Sequence, residues 1–217
     1  MNPRKTSDVE ISYDRVSDEY VQRIYHELEH KPLDRQLLDR FAASVRDIGL
    51  ACDMGCGPGH VARYLHERGA RVCGIDLSHQ MVERARRLNP EIDFRQGDVL
   101  ALEVENDTWV GIAAFYSIIH IPPGDVVRVL RELRRVLRPG GVLLLAFHVG
   151  DDTIHLDEWW GQKVCLDFFF FRSQEMTRYL SSAGFEIEEV VERDPYPNVE
   201  HQSRRAYVFA RKSRGER

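Results

Sequence analysis

Residues 51–60, ACDMGCGPGH, set an acidic residue and Gly55, Gly57 and Gly59 directly behind an apolar run, GLACDMG, and just ahead of a helical pattern from Pro58 to Glu67. Glycines at a strand exit let the backbone turn tightly and approach a ligand, while the next helix aims its free N-terminal amides at the same spot. The stretch therefore predicts a βαβ unit with a ligand at the carboxyl end of its first strand. The rest of the chain keeps that rhythm. RVCGID reads as a second strand, and Ser78 to Leu88 as a helix capped by Ser78 with Met81, Val82, Ala85 and Leu88 facing inward. EIDFRQGD and WVGIAAFYS read as further strands. A helix from Gly124 to Arg138 carries an apolar stripe through Val126, Val129, Leu130, Leu133 and Leu137 and stops at Pro139, Gly140 and Gly141. VLLLAFHV, apolar without alternation, predicts a strand covered on both faces.

Two amphipathic helices, Ser12 to about His30 and Pro32 to Arg46, precede this core. An aromatic-rich insertion at about 149–172 interrupts it before a helix at Ser173 to Ala183 and strands at FEIEEVVE and RRAYVFAR. With 217 residues, 43% of them hydrophobic, the chain can bury one substantial α/β core, so a single domain over 1–217 is expected. A formal charge of −5 gives no overall attraction to nucleic acid or anionic membrane, and the basic RKSRGER reads as a solvated tail. No apolar run approaches the ~20 residues of a membrane span and MNPRKTSDVE lacks the apolar core of a secretory signal, so a soluble, cytoplasmic protein is expected. Cys52, Cys56, Cys73 and Cys165 lack metal-site spacing and read as reduced structural thiols, with no metal expected.

The glycine spacing discriminates between ligands. A dinucleotide loop spells GxGxxG, whereas this one spells GxGxG with His60 next, which argues against an NAD-dependent dehydrogenase. Asp53 precedes the glycines, where a carboxylate would repel a pyrophosphate but help hold a cation; alternatively it only braces the turn. Asp76 ends the second strand, the usual place for a carboxylate that accepts ribose hydroxyls. A nucleoside carrying a positive charge fits S-adenosylmethionine.

Five blocks in order, LACDMGCGPG, VCGIDLS, DFRQGDV, AFYSIIHIP and LRELRRVLRPGGVLLLAF, resemble the class I S-adenosylmethionine-dependent methyltransferases, in particular the small bacterial methyltransferase-domain family. The resemblance implies a Rossmann-like, mostly parallel seven-stranded sheet with helices on both faces and an antiparallel last strand. It further implies that Gly55, Cys56, Gly57 and Gly59 pack on the cofactor, that Asp76 grips its ribose and that Leu77 lies against adenine. Asp98 with the Val99 amide would read the adenine edge, the Tyr116 carbonyl would face the methionine ammonium, and Tyr13 of YDRVSDEY would close over the site. The fourth strand departs from the family pattern, since VENDTWVGI lacks the usual acidic and aromatic pair.

The acceptor is less defined. His120, after the fourth strand, is the candidate base, or else a hydrogen-bonded wall residue. His148 and His155 are further candidates to face the pocket. Trp159 and Trp160 are expected in a lid over an apolar or aromatic small molecule, while Phe168 to Phe171 could instead bury alternate rings against the sheet. Glu200 and Arg204 are candidates for a polar substrate group. A non-catalytic binder of the cofactor is the alternative, and RNA or DNA substrates are disfavoured because the chain lacks their base-flipping motifs and a basic face.

Overall fold

The computed structural model describes residues 3–214 and contains six α-helices and nine strands among them. Strands β1 (Leu50–Met54), β2 (Arg71–Asp76), β3 (Asp93–Gln96), β4 (Trp109–Phe115), β5 (Leu137–His148), β8 (Phe185–Arg193) and β9 (Arg205–Lys212) form one sheet in the order β3-β2-β1-β4-β5-β9-β8. The β1–β2, β1–β4, β2–β3 and β4–β5 pairs are parallel, and β9 runs antiparallel to both neighbours. The last strand is thus antiparallel and enters between β5 and β8. No helix among the described residues is long and apolar enough to cross a membrane.

Coverage of both faces explains the unbroken apolar run of β5. Leu143, Leu145 and Phe147 pack with the α5 (Pro123–Val136) stripe of Val126, Val129, Leu130 and Leu133. Val142, Leu144 and Ala146 pack on the other face with Leu38, Phe41 and Val45 of α2 (Pro32–Val45) and Leu65 of α3 (His60–Glu67). Ser78 caps α4 (His79–Leu88), its hydroxyl accepting from the Met81 amide at 3.1 Å.

Several boundaries differ from the sequence reading. Helix α1 spans Pro3–Ile24, and Glu27–His30 forms a separate 3-10 turn rather than its last turn. Helix α5 ends at Val136 because the chain is captured by β4: the Thr108 amide bonds the Val136 carbonyl at 2.9 Å and Trp109 pairs with Leu137, so Pro139 to Gly141 lie within β5. Leu88 points outward, 41% exposed at the end of α4. RKSRGER is not all tail, since Arg211 and Lys212 belong to β9, where the Lys212 ammonium bonds Asp107 and the Leu137 carbonyl, both at 2.7 Å; residues 215–217 lie outside the described residues, as do Met1 and Asn2.

The aromatic insertion is a β-hairpin. Strands β6 (Thr153–Trp159) and β7 (Gln162–Phe169) pair antiparallel, and Trp160 (φ 52°) and Gly161 (φ 77°) make the turn. Positive φ at both central residues matches the twist of the flanking strands, although a tryptophan adopts it at some cost. Helix α1 lies on β7, where Val16, Val164 and Leu166 form a buried cluster. The Ser12 hydroxyl accepts from the Cys165 amide at 2.9 Å. On its other side Asp14 accepts from the Ser78 hydroxyl and the Gln80 amide at the start of α4, at 2.6 and 3.0 Å. These bonds hold α1 between the parallel sheet and the hairpin. Helix α6 (Ser173–Ser182) then leads into β8.

Candidate active site

A cavity of about 390 Å³ opens at the carboxyl ends of β1, β2, β4 and β5, roofed by α1 and the hairpin. Position alone makes this the expected ligand site of such a sheet. Its lining includes Tyr13, Asp53, Gly55, Cys56, Gly57, Asp76, Leu77, Asp98, Val99, Tyr116, His120, His148, Trp159 and Glu200.

The β1–β2 side is shaped by backbone. Gly55 (φ 69°), Gly57 (φ 51°) and Gly59 (φ 84°) all adopt the left-handed conformation. A Cβ on Gly55 would fall 2.3 Å from Ser117 Cβ, whereas one on Gly57 would meet only Tyr20, at 3.8 Å, and would project into open space. Gly59 lies outside the cavity: it caps α3, and a Cβ there would strike Phe94 at 2.7 Å. Asp76 accepts from the Gly57 and Ser78 amides, one on each carboxylate oxygen, at 2.7 and 2.8 Å. Both oxygens keep a lone pair for hydroxyls, and burial raises its pKa to about 6. Asp98 accepts from the Leu100 amide at 2.8 Å.

Asp53 braces the turn, accepting from the Ala62 amide in the first turn of α3 at 2.9 Å, and also lines the cavity. Burial lifts its carboxyl to about 8, and among the described residues no Lys, Arg or His pairs with it. A buried acid without a protein cation, beside a cradle of bare glycine and a ribose-ready carboxylate, fits a cationic nucleoside. Asp76, Asp53, Gly55 and Gly57 would hold S-adenosylmethionine there.

The β4–β5 side is built from side chains. His120 Nδ1 lies 2.8 Å from the Asp167 carbonyl, which only accepts, so that nitrogen carries the proton. The bare Nε2 then accepts from the Tyr13 hydroxyl at 2.8 Å. Burial holds His120 neutral, with its pKa lowered to about 4, and raises the Tyr13 phenol well above its ordinary value. Phe168 meets the His120 ring edge to face at 4.6 Å. The phenylalanine run alternates: Phe168 and Phe170 line the cavity, while Phe169 and Phe171 pack into the core beneath α5 and α6.

Beyond His120 lies a buried ionic network. Lys31 sits 2.7 Å from Glu27 and 3.3 Å from Glu200, and Glu200 also pairs with Arg193 and accepts from the Tyr196 amide at 2.8 Å. Against the cost of burial, these cations hold Glu200 at about 2; His60 and Lys31 do the same for Glu27. Arg205 donates to His148 Nδ1 at 2.8 Å, which places the His148 proton on Nε2.

Other expectations are corrected. Trp160 lies outside the cavity, stacked on Trp159 at 4.3 Å and covered by Arg23, because the hairpin turn carries it over the rim. Arg204 faces solvent and pairs with Glu192 and Asp194 at 3.0 and 3.3 Å; its neighbour Arg205 takes the inward position. His155 is exposed on β6, bonded to Asp167 and Asp157. Tyr20, Glu27 and Lys31 line the cavity without any sign of it in the sequence, and Phe170 of the phenylalanine run, His201 and Arg205 line it with them. Arg205 was readable: in RRAYVFAR it is in phase with Tyr207 and Phe209 on a covered face.

Residues 51–141 match the family described as "Methyltransferase domain". The chain is 30% identical over 141 residues to malonyl-[acyl-carrier protein] O-methyltransferase of Enterobacter lignolyticus, covering 62% of this chain and 54% of that protein. It is 31% identical over 135 residues to 2-phytyl-1,4-naphtoquinone methyltransferase of Thermosynechococcus vestitus, covering 59% of this chain and 56% of that one. The chain thus spans about half the length of these curated relatives. A crystal structure of a SAM-dependent methyltransferase from Methanosarcina mazei shares the fold at 16% identity, with a TM-score of 0.71 over 79% of this chain and 95% of that one.

Proposed function

We propose that the chain is a class I S-adenosylmethionine-dependent methyltransferase and that it transfers the cofactor's methyl group to an O, N or S atom of a small apolar or aromatic molecule. The observation that carries this reading is the pairing, in one cavity, of a carboxylate cradle at Asp76 and Asp53 with a second chamber walled by Trp159, Phe168 and Phe170. S-adenosylmethionine, bound in the cradle, supplies a methyl group already activated by its sulfonium. The protein's remaining task is to orient a nucleophile, exclude water and, where the nucleophile is protonated, accept its proton.

His120 is the proposed acceptor of that proton. Its Nδ1 is locked onto the Asp167 carbonyl, which leaves Nε2 as the basic nitrogen facing the chamber. The Tyr13 hydroxyl occupies Nε2 here, and an acceptor hydroxyl or amine would take its place. Burial keeps the imidazole unprotonated at neutral pH, the form a base requires.

The test is conversion of S-adenosylmethionine to S-adenosylhomocysteine by purified protein with a panel of hydroxylated, aminated and thiol-bearing aromatic molecules. Turnover with at least one neutral-pH acceptor, lost in His120→Phe and retained in part by Tyr13→Phe, is the expected result. Tight cofactor binding with no turnover across the panel would favour a binding protein without transfer. That reading draws on the same Tyr13–His120 bond, which leaves the base already engaged.

A further inference from the structure

Resting on that reading of the cavity, we propose that the acceptor is an organic carboxylate: its apolar body lies against Phe170 and Leu156, and its carboxylate is held by Arg205 and His148 at the β5–β9 side, away from His120. The His148–Arg205 corner is a buried donor site whose neighbouring carboxylate, Glu200, is shared with two other cations. Arg205 is a cation with its side chain only 3% exposed. Its guanidinium donates to the Ser203 carbonyl at 2.7 Å, the Ser203 hydroxyl, His148 Nδ1 at 2.8 Å and the His201 carbonyl at 2.8 Å, all neutral groups. Its Nε is buried without a hydrogen bond. The neighbouring carboxylate, Glu200, stands 3.5 Å from that nitrogen and is engaged by Arg193, the Tyr196 amide and Lys31.

The other cations are better matched. Arg193 bonds both Asp34 and Glu200, and Lys31 lies between Glu27 and Glu200. Arg205 alone of the three makes no hydrogen bond to a carboxylate: its ion pair with Glu200 is 3.5 Å long and that carboxylate is shared with Arg193 and Lys31, so an anion that joins the guanidinium adds the hydrogen-bonded charge partner it lacks.

His148 supplies the second donor. Because Nδ1 accepts from Arg205, the proton sits on Nε2, which no described residue engages, and the ring lines the cavity. Burial, followed by the charges of Arg205, His201 and Lys31, lowers its pKa to about 3. Glu200 opposes this shift without reversing it, and the imidazole is therefore a fixed neutral donor beside the Arg205 cation. Phe170 stacks on the same ring at 5.0 Å and 18°, giving an apolar surface directly beside the donor pair. An acid with an apolar body matches that juxtaposition, whereas an inorganic anion would use only half of it.

Calorimetry decides this in two stages. S-adenosylhomocysteine is titrated first; no binding would mean that the reading of the cavity itself fails. Protein saturated with it is then titrated with phenylacetate, 4-phenylbutyrate and decanoate, each beside its uncharged amide. At least one acid is expected to bind ~10-fold or more tightly than its amide. His148→Phe, which keeps the stack on Phe170 but removes Nε2–H, and Arg205→Gln should each erase most of that preference while leaving S-adenosylhomocysteine affinity within about threefold. Should Arg205→Gln fail to fold, His148→Phe carries the test alone. Cofactor binding without preference for any acid over its amide would overturn the proposal. So would an acid preference untouched in the folded variants, or displacement of the acids by equal concentrations of inorganic phosphate.

Discussion

The cavity has two halves made in different ways. On the β1–β2 side, main chain and short carboxylates 9 and 19 residues apart do the shaping: Gly57 gives its amide to Asp76, and Asp53 takes the Ala62 amide. On the β5–β9 side, the corner joins His148 to Arg205, and Lys31 to Glu200, across long stretches of chain. The first kind of site is fixed by backbone conformation and tolerates little change. The second is fixed by packing, and its residues can vary without disturbing the glycine turn. Ligand discrimination in the two halves should therefore be separable by mutation.

The largest effect is expected at Gly57. A valine there must hold φ near 51° against its branched Cβ and would project into the open space of the cradle. Gly57→Val should weaken S-adenosylhomocysteine binding by more than ~100-fold, about 2.7 kcal/mol, in a protein that still unfolds cooperatively. Tight binding by this variant in calorimetry would mean that the loop does not face the cofactor.

Asp76→Ala comes next. Loss of charge-assisted bonds to the ribose hydroxyls should reduce affinity by at least ~10-fold. An unchanged affinity would remove the residue from the site and collapse the division between the halves.

A protonation change tests the third member of the cradle. A carboxyl whose folded-state pKa is raised to about 8 contributes stability that is present below its unfolded value near 3.9 and is lost as pH rises through 8. Binding a cation beside it favours the ionised form. S-adenosylhomocysteine, with its ammonium group, should thus release up to about one proton at pH 7, read from calorimetry in buffers of different ionisation enthalpy. Asp53→Asn should abolish the release, and its free form should lose less stability between pH 6 and pH 9. Equal proton release by both proteins would assign the titration elsewhere.

The smallest effects on the cofactor belong to the hairpin. Trp159→Ala and Trp160→Ala should each leave S-adenosylhomocysteine affinity within about threefold, under ~0.7 kcal/mol. They should differ toward the acceptor, since Trp159 lines the cavity and Trp160 covers it from outside. A large loss of cofactor affinity in either would blur the two halves. Exposed Arg204, changed to alanine, should alter neither ligand.

This division also governs what the sequence made legible. The turn at Gly55 to Gly59, Asp76 and the cap at Ser78 announce themselves because local backbone chemistry demands those residue types at those spacings. The sheet followed for the same reason, down to the unbroken apolar run of β5. The hairpin was hidden, since Trp160 and Gly161 are an uncommon pair for a turn that needs positive φ at both positions. Arg204 was preferred to Arg205 because strand phase at a loop boundary depends on where pairing begins, which the partner strand sets at the Arg205–His148 pair. Lys31 and Glu27 carried no local signature at all. Their significance arises from burial against Glu200 and His60, partners supplied by the tertiary fold.

Helix α1 bears on the timing of turnover. Ser12 is bonded to β7, and Asp14, two residues on, to the start of α4. A helix does not bend appreciably over so short a distance. Lifting it from the hairpin therefore also loosens it from the Asp76–Ser78 end of the sheet, and Tyr13, between the two attachments, leaves with it. Both halves of the cavity lie under this one helix. Exchange of spent cofactor and release of methylated product would then show a common opening frequency, and a change that weakens either attachment would quicken both.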